Sequence, residues 1–296
     1  MLVPAAKAPS SSPVPDILAE AQPSDLPLLR SWPLYVCHGV ALIGPFFVAF
    51  SWRYVALAAA LYALRMVALS AGYHRYFAHR SFKTSRAFQL VLAFVGGTCT
   101  QRGALWWAAN HRHHHLHADQ EADIHSPPRR GLFWSHLGWI LSKRFEVTQH
   151  ERIRDFARFP ELRWLDRHHF VPSLAYAGTL LALGGLPALI WGCFVSTVFM
   201  WHCTFSINSL AHVFGRRRYR TGDESRNNAL LALLTMGEGW HNNHHHYRSS
   251  AALGFFWWEL DCTYYVLKAL SALGLIWELR TPPPAVRDAW RVEASP

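Results

Sequence analysis

Histidines gathered in three clusters constrain this chain more than any other feature of its sequence. The clusters are His74-Arg-Tyr-Phe-Ala-His79, His111-Arg-His-His114-His115 and Glu238-Gly-Trp-His241-Asn-Asn-His244-His245-His246. A spacing of i, i+3 and i+4 puts three side chains on one helical face, and the second and third clusters both have it. Imidazole is a good ligand for iron, zinc, copper and nickel. Because one ion cannot hold this many aligned rings, we predict a site for two metal ions.

Two simpler explanations fit the pattern less well. A single histidine on a helix is usually structural, but packing does not readily produce three clusters that all have ligand spacing. A purification tag lies at a chain end and lacks the arginine and asparagine interruptions found here. A metal site is therefore the better interpretation.

The composition is typical of a membrane protein with a large water-facing part. Of the 296 residues, 51% are hydrophobic and 14% are aromatic, and the formal net charge is +10. The basic residues border apolar segments, which indicates a lipid bilayer and not nucleic acid as the partner. The cysteines form no CxxC pair and are interpreted as packing thiols. They are Cys37, Cys99, Cys193, Cys203 and Cys262.

The two ends of the chain are poor in core-forming residues. Residues 1–30 are rich in proline, alanine and serine, and they lack the basic start and apolar core of a cleavable signal peptide. We predict a disordered segment over residues 1–30, a membrane domain over residues 31–280 and a disordered tail over residues 281–296.

Four apolar stretches have about the length of transmembrane helices. Ser51-Trp52-Arg53 separates the first two, and the turn signal Gly184-Gly185-Leu186-Pro187 separates the last two, so we predict two hairpins. Arg65 lies inside the second stretch, where it must face protein or water because a charge in lipid is costly. The sequence identifies no partner for it. The predicted spans are about residues 32–50, 54–72, 171–187 and 190–207.

Residues 87–108 are also apolar, but we predict that they do not cross the membrane. The first two clusters must lie on one side to share a metal site, which requires an even number of crossings between them. The chain between His79 and His111 is too short for two helices of about 20 residues each. We therefore expect an interfacial or re-entrant segment here. Residues 253–277 are expected to form a helix packed on the interface, with a fifth span as the alternative.

Charge places the clusters on the cytoplasmic side. Nearly all lysines and arginines outside the spans fall on the side of the histidine clusters, whereas the two opposite turns contain only Arg53. By the positive-inside rule the clusters and both termini are cytoplasmic. The predicted fold is therefore all-α, with four transmembrane helices under a cytosolic histidine-rich helical cap and interfacial helices. The membrane would be the cell membrane in a bacterium or the endoplasmic reticulum in a eukaryote.

Several longer motifs resemble the membrane fatty acyl-CoA desaturases, in particular the delta-9, stearoyl-CoA-desaturase-like enzymes of the bacterial branch. These motifs are Gly72-Tyr73-His74-Arg75-Tyr76, Asn208-Ser209-Leu210-Ala211-His212 and Gly237-Glu238-Gly239-Trp240-His241-Asn242-Asn243-His244-His245. The resemblance runs from about Trp32 to Arg280. It implies the same four-helix membrane fold under a cytosolic cap.

The resemblance implies a set of iron ligands, and Asn208 as a residue that reaches a metal through water. His212 comes from the resemblance alone, since spacing would have favoured a buried structural histidine. The implied iron ligands are His74, His79, His111, His114, His115, His212, His241, His244 and His245. From their positions beside the clusters, we expect Asp119, Asp123 and Glu238 to hold ligand N–H groups. His113, His125 and His246 are expected to lie outside the ligand set.

The resemblance also implies residues that contact the substrate. Gln101, Trp107 and Thr204 correspond to residues that line the bend of the acyl tunnel, which favours insertion at carbon nine. An interfacial anchor is the alternative for Trp107. Lys143 and Arg144 correspond to a basic pair that contacts coenzyme A phosphates. Ala109 and Phe205 replace an arginine and a tryptophan of the animal enzymes, so coenzyme A, a carrier protein and a phospholipid all remain open as acyl carriers.

The chemistry that follows is an oxygen-dependent desaturation. Removing hydrogen from an unactivated methylene needs an oxidant that a cofactor makes from dioxygen, here with two iron ions and two external electrons. No fused cytochrome b5 module is visible, so we expect a separate donor of the ferredoxin or cytochrome b5 type. The predicted product is a cis double bond in a saturated acyl chain, with acyl-CoA as the substrate. A di-iron lipid hydroxylase or ketolase and a non-catalytic metal-binding protein are the alternatives.

Overall fold

The computed structural model describes residues 31–292. The predicted disordered segment 1–30 and residues 293–296 lie outside the described residues. The fold is mostly helical. Its α-helices are α1 Trp32–Ile43, α2 Trp52–Ala68, α3 Arg86–Gly97, α4 Ala104–His117, α5 Pro127–Phe133, α6 Trp139–Leu141, α7 Arg154–Ala157, α8 Pro160–Arg167, α9 Phe170–Ala188, α10 Ser196–Ser209, α11 Ala229–Leu234, α12 His241–His246, α13 Cys262–Ala272 and α14 Pro284–Asp288.

Other helical geometries and one small sheet complete the fold. The π-helical segments are Leu69–Ala78, Trp134–Gly138 and Leu189–Val195, which directly follow α2, α5 and α9. The 3-10 turns are Gly44–Phe47, Lys143–Phe145, His150–Ile153 and Leu210–His212. Strands β1 Lys83–Thr84 and β2 Ile276–Trp277 pair antiparallel, with Lys83 opposite Trp277 and Thr84 opposite Ile276.

Two continuous helical segments in the described part of the chain are long and apolar enough to cross a membrane, where the sequence predicted four. They are Trp52–Ala78, with 27 residues, and Phe170–His212, with 43 residues. The first predicted span is shorter than expected, because its helix ends at Phe47. The third and fourth predicted spans both fall within the longer segment.

That longer segment folds back on itself at Gly185. Gly185 has a left-handed φ of 63°, which glycine adopts readily, and Pro187 follows it. The Tyr176 hydroxyl donates a hydrogen bond to the Gly192 carbonyl at 2.6 Å. In a straight helix these residues would lie roughly 24 Å apart. The chain therefore reverses at Gly185, and α9 packs antiparallel to the segment that leads into α10.

Helices α3 and α13 are too short to cross a bilayer, whereas the helical segment that begins with α1 continues through a 3-10 turn to Phe47. Helix α3 has 12 residues and is therefore roughly 18 Å long, against a hydrocarbon core of about 30 Å. Helix α13 has 11 residues, which rules out a fifth span there. Both lengths agree with the expected interfacial or packed helices.

Arg65 has partners that the sequence did not reveal. Its side chain is 2% exposed. One guanidinium nitrogen donates to the Thr98 carbonyl at 3.1 Å and to the Thr197 hydroxyl at 2.7 Å, and the other donates to the Ser196 hydroxyl. The guanidinium also lies 4.6 Å from the centroid of the Tyr176 ring. Neutral groups from three segments therefore surround this charge.

The tail is folded as far as Val292, which corrects the prediction of disorder for residues 281–292. Helix α14 forms part of it. The Tyr219 hydroxyl donates to the Arg287 carbonyl at 2.7 Å, and the Arg220 amide donates to the Trp290 carbonyl at 2.9 Å. Hydrogen bonds between its main chain and the segment around residues 219–220 thus hold a stretch whose own composition suggested no structure.

Candidate metal centre

Four elements carry the clustered histidines into one region. His74 lies in the π-helical extension of α2, and His79 directly follows it. The second cluster occupies the last turns of α4, and the third forms most of the short helix α12. His212 ends the 3-10 turn that follows α10. Single π-helical turns are frequent at functional sites because they shift the side chains off the regular helical register.

The histidines form two groups whose ring nitrogens lie within 4.8 Å of one another. Group 1 consists of His74, His79, His111, His115 and His244. Group 2 consists of His114, His212, His241 and His245. All nine predicted histidine ligands therefore come together, and they divide into two sets as a site for two ions requires.

Each helical cluster contributes to both groups. On α4, His111 and His115 face group 1 while His114 faces group 2; on α12, His244 faces group 1 while His241 and His245 face group 2. Residues at i, i+3 and i+4 share a broad face but diverge by tens of degrees around the axis. The two short helices therefore bridge the two groups.

Close contacts between ring nitrogens in group 1 fit a bound cation. The Nε2 atoms of His111 and His79 are 2.9 Å apart, those of His115 and His111 are 3.0 Å apart, and those of His244 and His115 are 2.8 Å apart. His111 and His115 each take part in two of these contacts, and a single ring N–H cannot be donated in both. In some of the contacts, therefore, the lone pairs of two ring nitrogens face each other. Two ligands at a right angle on an ion with bonds of about 2.1 Å would be about 3 Å apart.

In group 2, carboxylates hold the other ring nitrogen of three histidines. The Nδ1 of His114 lies 3.0 Å from Asp123, and the Nδ1 of His212 lies 2.8 Å from Asp119. The Nδ1 of His245 lies 2.8 Å from Asp223. Such a contact fixes the tautomer with the proton on Nδ1 and leaves the Nε2 lone pair for a metal.

The remaining nitrogens of group 2 support the same conclusion. The Nε2 atoms of His114 and His245 are buried and have no hydrogen-bond partner within residues 31–292. The Nε2 atoms of His212 and His241 are 3.0 Å apart. An unpaired buried polar atom is costly, and a shared cation would satisfy all four nitrogens. The residues of both groups therefore fit a pair of imidazole-bound metal ions.

Glu238 connects group 1 to the rest of the cap. It contacts the Nδ1 of His74 and the guanidinium of Arg75, the latter at 3.2 Å. Burial would raise the pKa of Glu238, but the neighbouring His74 and Arg75 outweigh it and lower the pKa to about 2. Arg75 is fully buried and also makes a bidentate ion pair with Asp261 at 2.9 and 3.0 Å. This network fixes the end of α2 against the start of α13.

Burial favours the neutral form of several of the clustered imidazoles. It lowers the pKa of His111, His115 and His244 well below the ordinary value, and the neighbouring histidines lower it further. Burial also lowers the pKa of His245 to about 4, although Asp223 opposes this shift. Neutral imidazole is the form that binds metals, so these side chains are ready to act as ligands at pH 7.

The three histidines that the sequence assigned outside the ligand set have other contacts. The Nε2 of His113 lies 2.8 Å from the Ala122 carbonyl, and that of His246 lies 2.8 Å from the Val286 carbonyl. His125 lies closer to the centre, because it stacks on His114 at 4.3 Å between ring centroids.

An apolar cavity of about 510 Å³ leads to group 1. The Gln101 amide donates to the Thr204 hydroxyl at 3.2 Å, and the Trp107 indole donates to the Gln101 carbonyl oxygen at 3.4 Å. The three residues predicted at the tunnel bend are thus in contact, and all of them line the cavity together with His111 and Asn208.

A second, smaller space continues past this point. Trp107, Thr204 and Asn208 line it too, and so do His74 and His241 from the two histidine groups. Asn208 therefore faces the space between the two groups. Lys143 and Arg144 lie in a 3-10 turn nearby, but neither lines the apolar cavity.

Asp223 is the site residue that sequence reasoning missed. It lies in the segment Arg216-Arg217-Arg218-Tyr219-Arg220-Thr221-Gly222-Asp223-Glu224-Ser225-Arg226, which looks like an ordinary solvated loop. The structure instead buries Asp223 behind His245. The only signal in the sequence was a carboxylate on the link between His212 and the third cluster.

Comparison with known proteins identifies the same family as the motifs. The family model for fatty acid desaturases matches residues 50–275. Icosanoyl-CoA 5-desaturase of Limnanthes douglasii is 34% identical over 88% of this chain and 74% of its own length. The chloroplastic palmitoyl-monogalactosyldiacylglycerol delta-7 desaturase of Arabidopsis thaliana is 36% identical over 85% of this chain and 68% of its own. The sn-2 palmitoyl-lipid 9-desaturase of Nostoc sp. (strain 36) is 36% identical over 84% and 88%, respectively.

Proposed function

The chain belongs to the fatty acid desaturase family, and we propose that it inserts a cis double bond at carbon nine of a saturated acyl chain carried by coenzyme A. The observation that carries this proposal is the apolar cavity that ends beside group 1. Trp107 and Thr204 line both this cavity and the smaller space beyond it, together with His111 and Asn208. A long acyl chain lying in this cavity would have one C–C bond held next to the histidine groups, and such positioning is the main contribution of a protein to this kind of reaction.

Group 1 would hold one iron ion and group 2 the other, with Asn208 reaching the site through water. When bound, the two ions supply the oxidising power, drawn from dioxygen, that removal of hydrogen from a methylene requires. The chain's own residues do the rest. Glu238, Asp119, Asp123 and Asp223 orient the imidazoles, and Trp107 shields the end of the apolar cavity from water.

The proposal includes the membrane topology. Two helices of span length and the family itself associate the protein with a membrane. We propose four crossings in a domain spanning residues 31–280, with α1 and α2 as one hairpin and the segment reversing at Gly185 as the other. The excess of basic residues on the histidine side supports a cytoplasmic centre and cytoplasmic termini. A separate ferredoxin or cytochrome b5 type protein would supply electrons.

Carbon position and carrier are open to direct test, because the relatives differ in both. Their names specify carbons five, seven and nine, and coenzyme A thioesters as well as lipids. The experiment is expression in a host that lacks its own unsaturated lipids, followed by mass spectrometry of double-bond position. The proposal predicts carbon-nine monounsaturated chains. Oxygenated chains would instead identify a hydroxylase or ketolase, and a fully saturated lipid pool would contradict desaturation.

A further inference from the structure

A separate, more polar cavity adjoins the apolar cavity that leads to group 1. It encloses about 760 Å³ between the start of α4, the chain around residues 146–150, and α8. The two cavities share Arg102, Trp106, Glu146 and His169 in their walls. A molecule with an apolar chain and a polar head could therefore occupy both at once.

Arg102 lies at the junction of the two cavities. Its backbone has a left-handed φ of 61°, which is unusual for a residue with a side chain. One guanidinium nitrogen donates to the Glu146 carbonyl at 2.9 Å, and the guanidinium lies 5.0 Å from the centroid of the Trp106 ring. These contacts fix a positive charge where the apolar lining gives way to the polar one.

Two further arginines line the polar cavity from α8. Arg163 and Arg167 are four residues apart and so lie on one helical face. Neither forms an ion pair with any residue in 31–292, whereas Arg86 beside them pairs with Glu161 at 2.6 Å and Arg112 pairs with Asp155 at 2.9 Å. Arg163 and Arg167 therefore hold positive charge that the fold itself does not use.

The buried carboxylate of this cavity is already engaged. One oxygen of Asp166 accepts the Trp106 amide at 2.9 Å, and the other accepts the Thr148 hydroxyl at 2.7 Å. A Cβ at Gly103 would clash with Asp166, so glycine is required there for α8 to approach the start of α4. Asp166 thus joins α8 to α4 and leaves the arginines free to act on a ligand.

We propose that this cavity binds the phosphate of the acyl substrate's head group, with Arg102, Arg163 and Arg167 as its cationic contacts. The inference rests on the proposed function, and it moves the anionic contact away from Lys143 and Arg144, which line neither cavity. Guanidinium binds phosphate oxygens through two parallel hydrogen bonds. A coenzyme A thioester and a glycerophospholipid both present such a phosphate.

The test is binding of defined ligands to the purified full-length protein in detergent. The variants are Arg163→Gln and Arg167→Gln, singly and together, and Arg102→Gln. The ligands are stearoyl-CoA, distearoyl phosphatidylglycerol and distearoyl monogalactosyldiacylglycerol, which has no phosphate. Arg158→Gln is the matched control, because Arg158 is an exposed arginine of the same region that does not line the cavity.

We expect each α8 substitution to raise Kd about tenfold for a phosphate-bearing ligand, since a hydrogen bond to a charged group contributes that much. The galactolipid Kd should stay within twofold, as should every Kd of the Arg158 variant. Weakening of stearoyl-CoA alone identifies coenzyme A as the source of the phosphate, and weakening of phosphatidylglycerol alone identifies a lipid.

Unchanged binding of both phosphate ligands in the double variant would overturn the proposal, and so would equal weakening of the galactolipid. Arg163→Lys with Arg167→Lys should recover part of the lost affinity. Double-bond formation by the unaltered protein is scored separately in the lipid analysis, so a failure of this site is distinct from a failure of the desaturase assignment.

Discussion

Trp107 stacks on His111, with ring centroids 4.8 Å apart and planes inclined by 24°. One face of the indole thus contacts a group 1 imidazole, while the side chain also lines both spaces of the apolar cavity. A single residue therefore links the position of an acyl chain to the position of the metal centre. The first prediction follows from this coupling.

Changes at this point should alter where the double bond forms. We expect Trp107→Ala to widen the bend and Thr204→Tyr to fill it, so each should shift the double bond from carbon nine or abolish it. Mass spectrometry of lipids from a host without its own unsaturated lipids measures this. Trp257→Ala is the control, because Trp257 is 86% exposed. An unchanged carbon-nine product in both cavity variants would remove these residues from that role.

Asp223 should matter for metal retention although it is not a ligand. Its carboxylate holds the Nδ1 of His245, and loss of such an orienting contact typically lowers metal affinity about 10- to 100-fold. We expect Asp223→Asn to lose iron from group 2 on dialysis against a weak chelator while group 1 keeps its ion. Glu224→Gln changes the next residue, which forms a half-buried ion pair with Arg217, and this variant should retain both ions. Equal iron content in the two variants would count against this role for Asp223.

Arg65 should be required for stability. Arg65→Ala removes a buried guanidinium together with three hydrogen bonds that it donates. It also leaves a cavity between α2, the end of α3 and α10. We expect a loss of about 2 to 4 kcal/mol in the free energy of unfolding, measured by thermal unfolding in detergent. Arg53→Ala, at the exposed start of α2, should change stability by less than about 0.5 kcal/mol. A similar loss in both variants would contradict the specific role of Arg65.

The topology predicts opposite accessibility of two engineered cysteines. Ser51→Cys, in the turn between α1 and α2, should react with a membrane-impermeant maleimide in intact cells. Glu121→Cys, at an exposed position beside the metal centre, should react only after permeabilisation. The reverse pattern would place the histidine groups on the outer side of the membrane.

The spacing of the clustered histidines predicted that they gather at a metal site, because metal ligation imposes a spacing that can be read directly, whereas His212 was predicted from the resemblance alone. The sequence could not predict which histidine belongs to which group, because this depends on how α4 and α12 pack against each other. His114 lies in a different group from His111 and His115, and His244 lies in a different group from His241 and His245. Asp223 and the partners of Arg65 were missed for a similar reason. Their contacts join distant segments, and nothing in the local sequence distinguishes them.

The predicted phosphate contact illustrates the same limit. Lys143 and Arg144 were selected because a basic pair stood at the expected place in the chain. That assignment stays a prediction, whereas the proposed contact comes from folding, which brings Arg102, just before α4, together with Arg163 and Arg167 from α8 around one cavity. The folded tail is a related case, because hydrogen bonds between its main chain and the distant residues 218–220 hold it in place.

The most direct test of the whole account is the metal content and ligand shell of the purified protein. Elemental analysis with iron X-ray absorption should find two iron ions per chain, with imidazole nitrogen as the dominant ligand. His111→Ala and His245→Ala, each still folded, should each lower the iron content towards one. A protein that binds a single ion, or whose ions have mainly carboxylate oxygen ligands, would contradict the account.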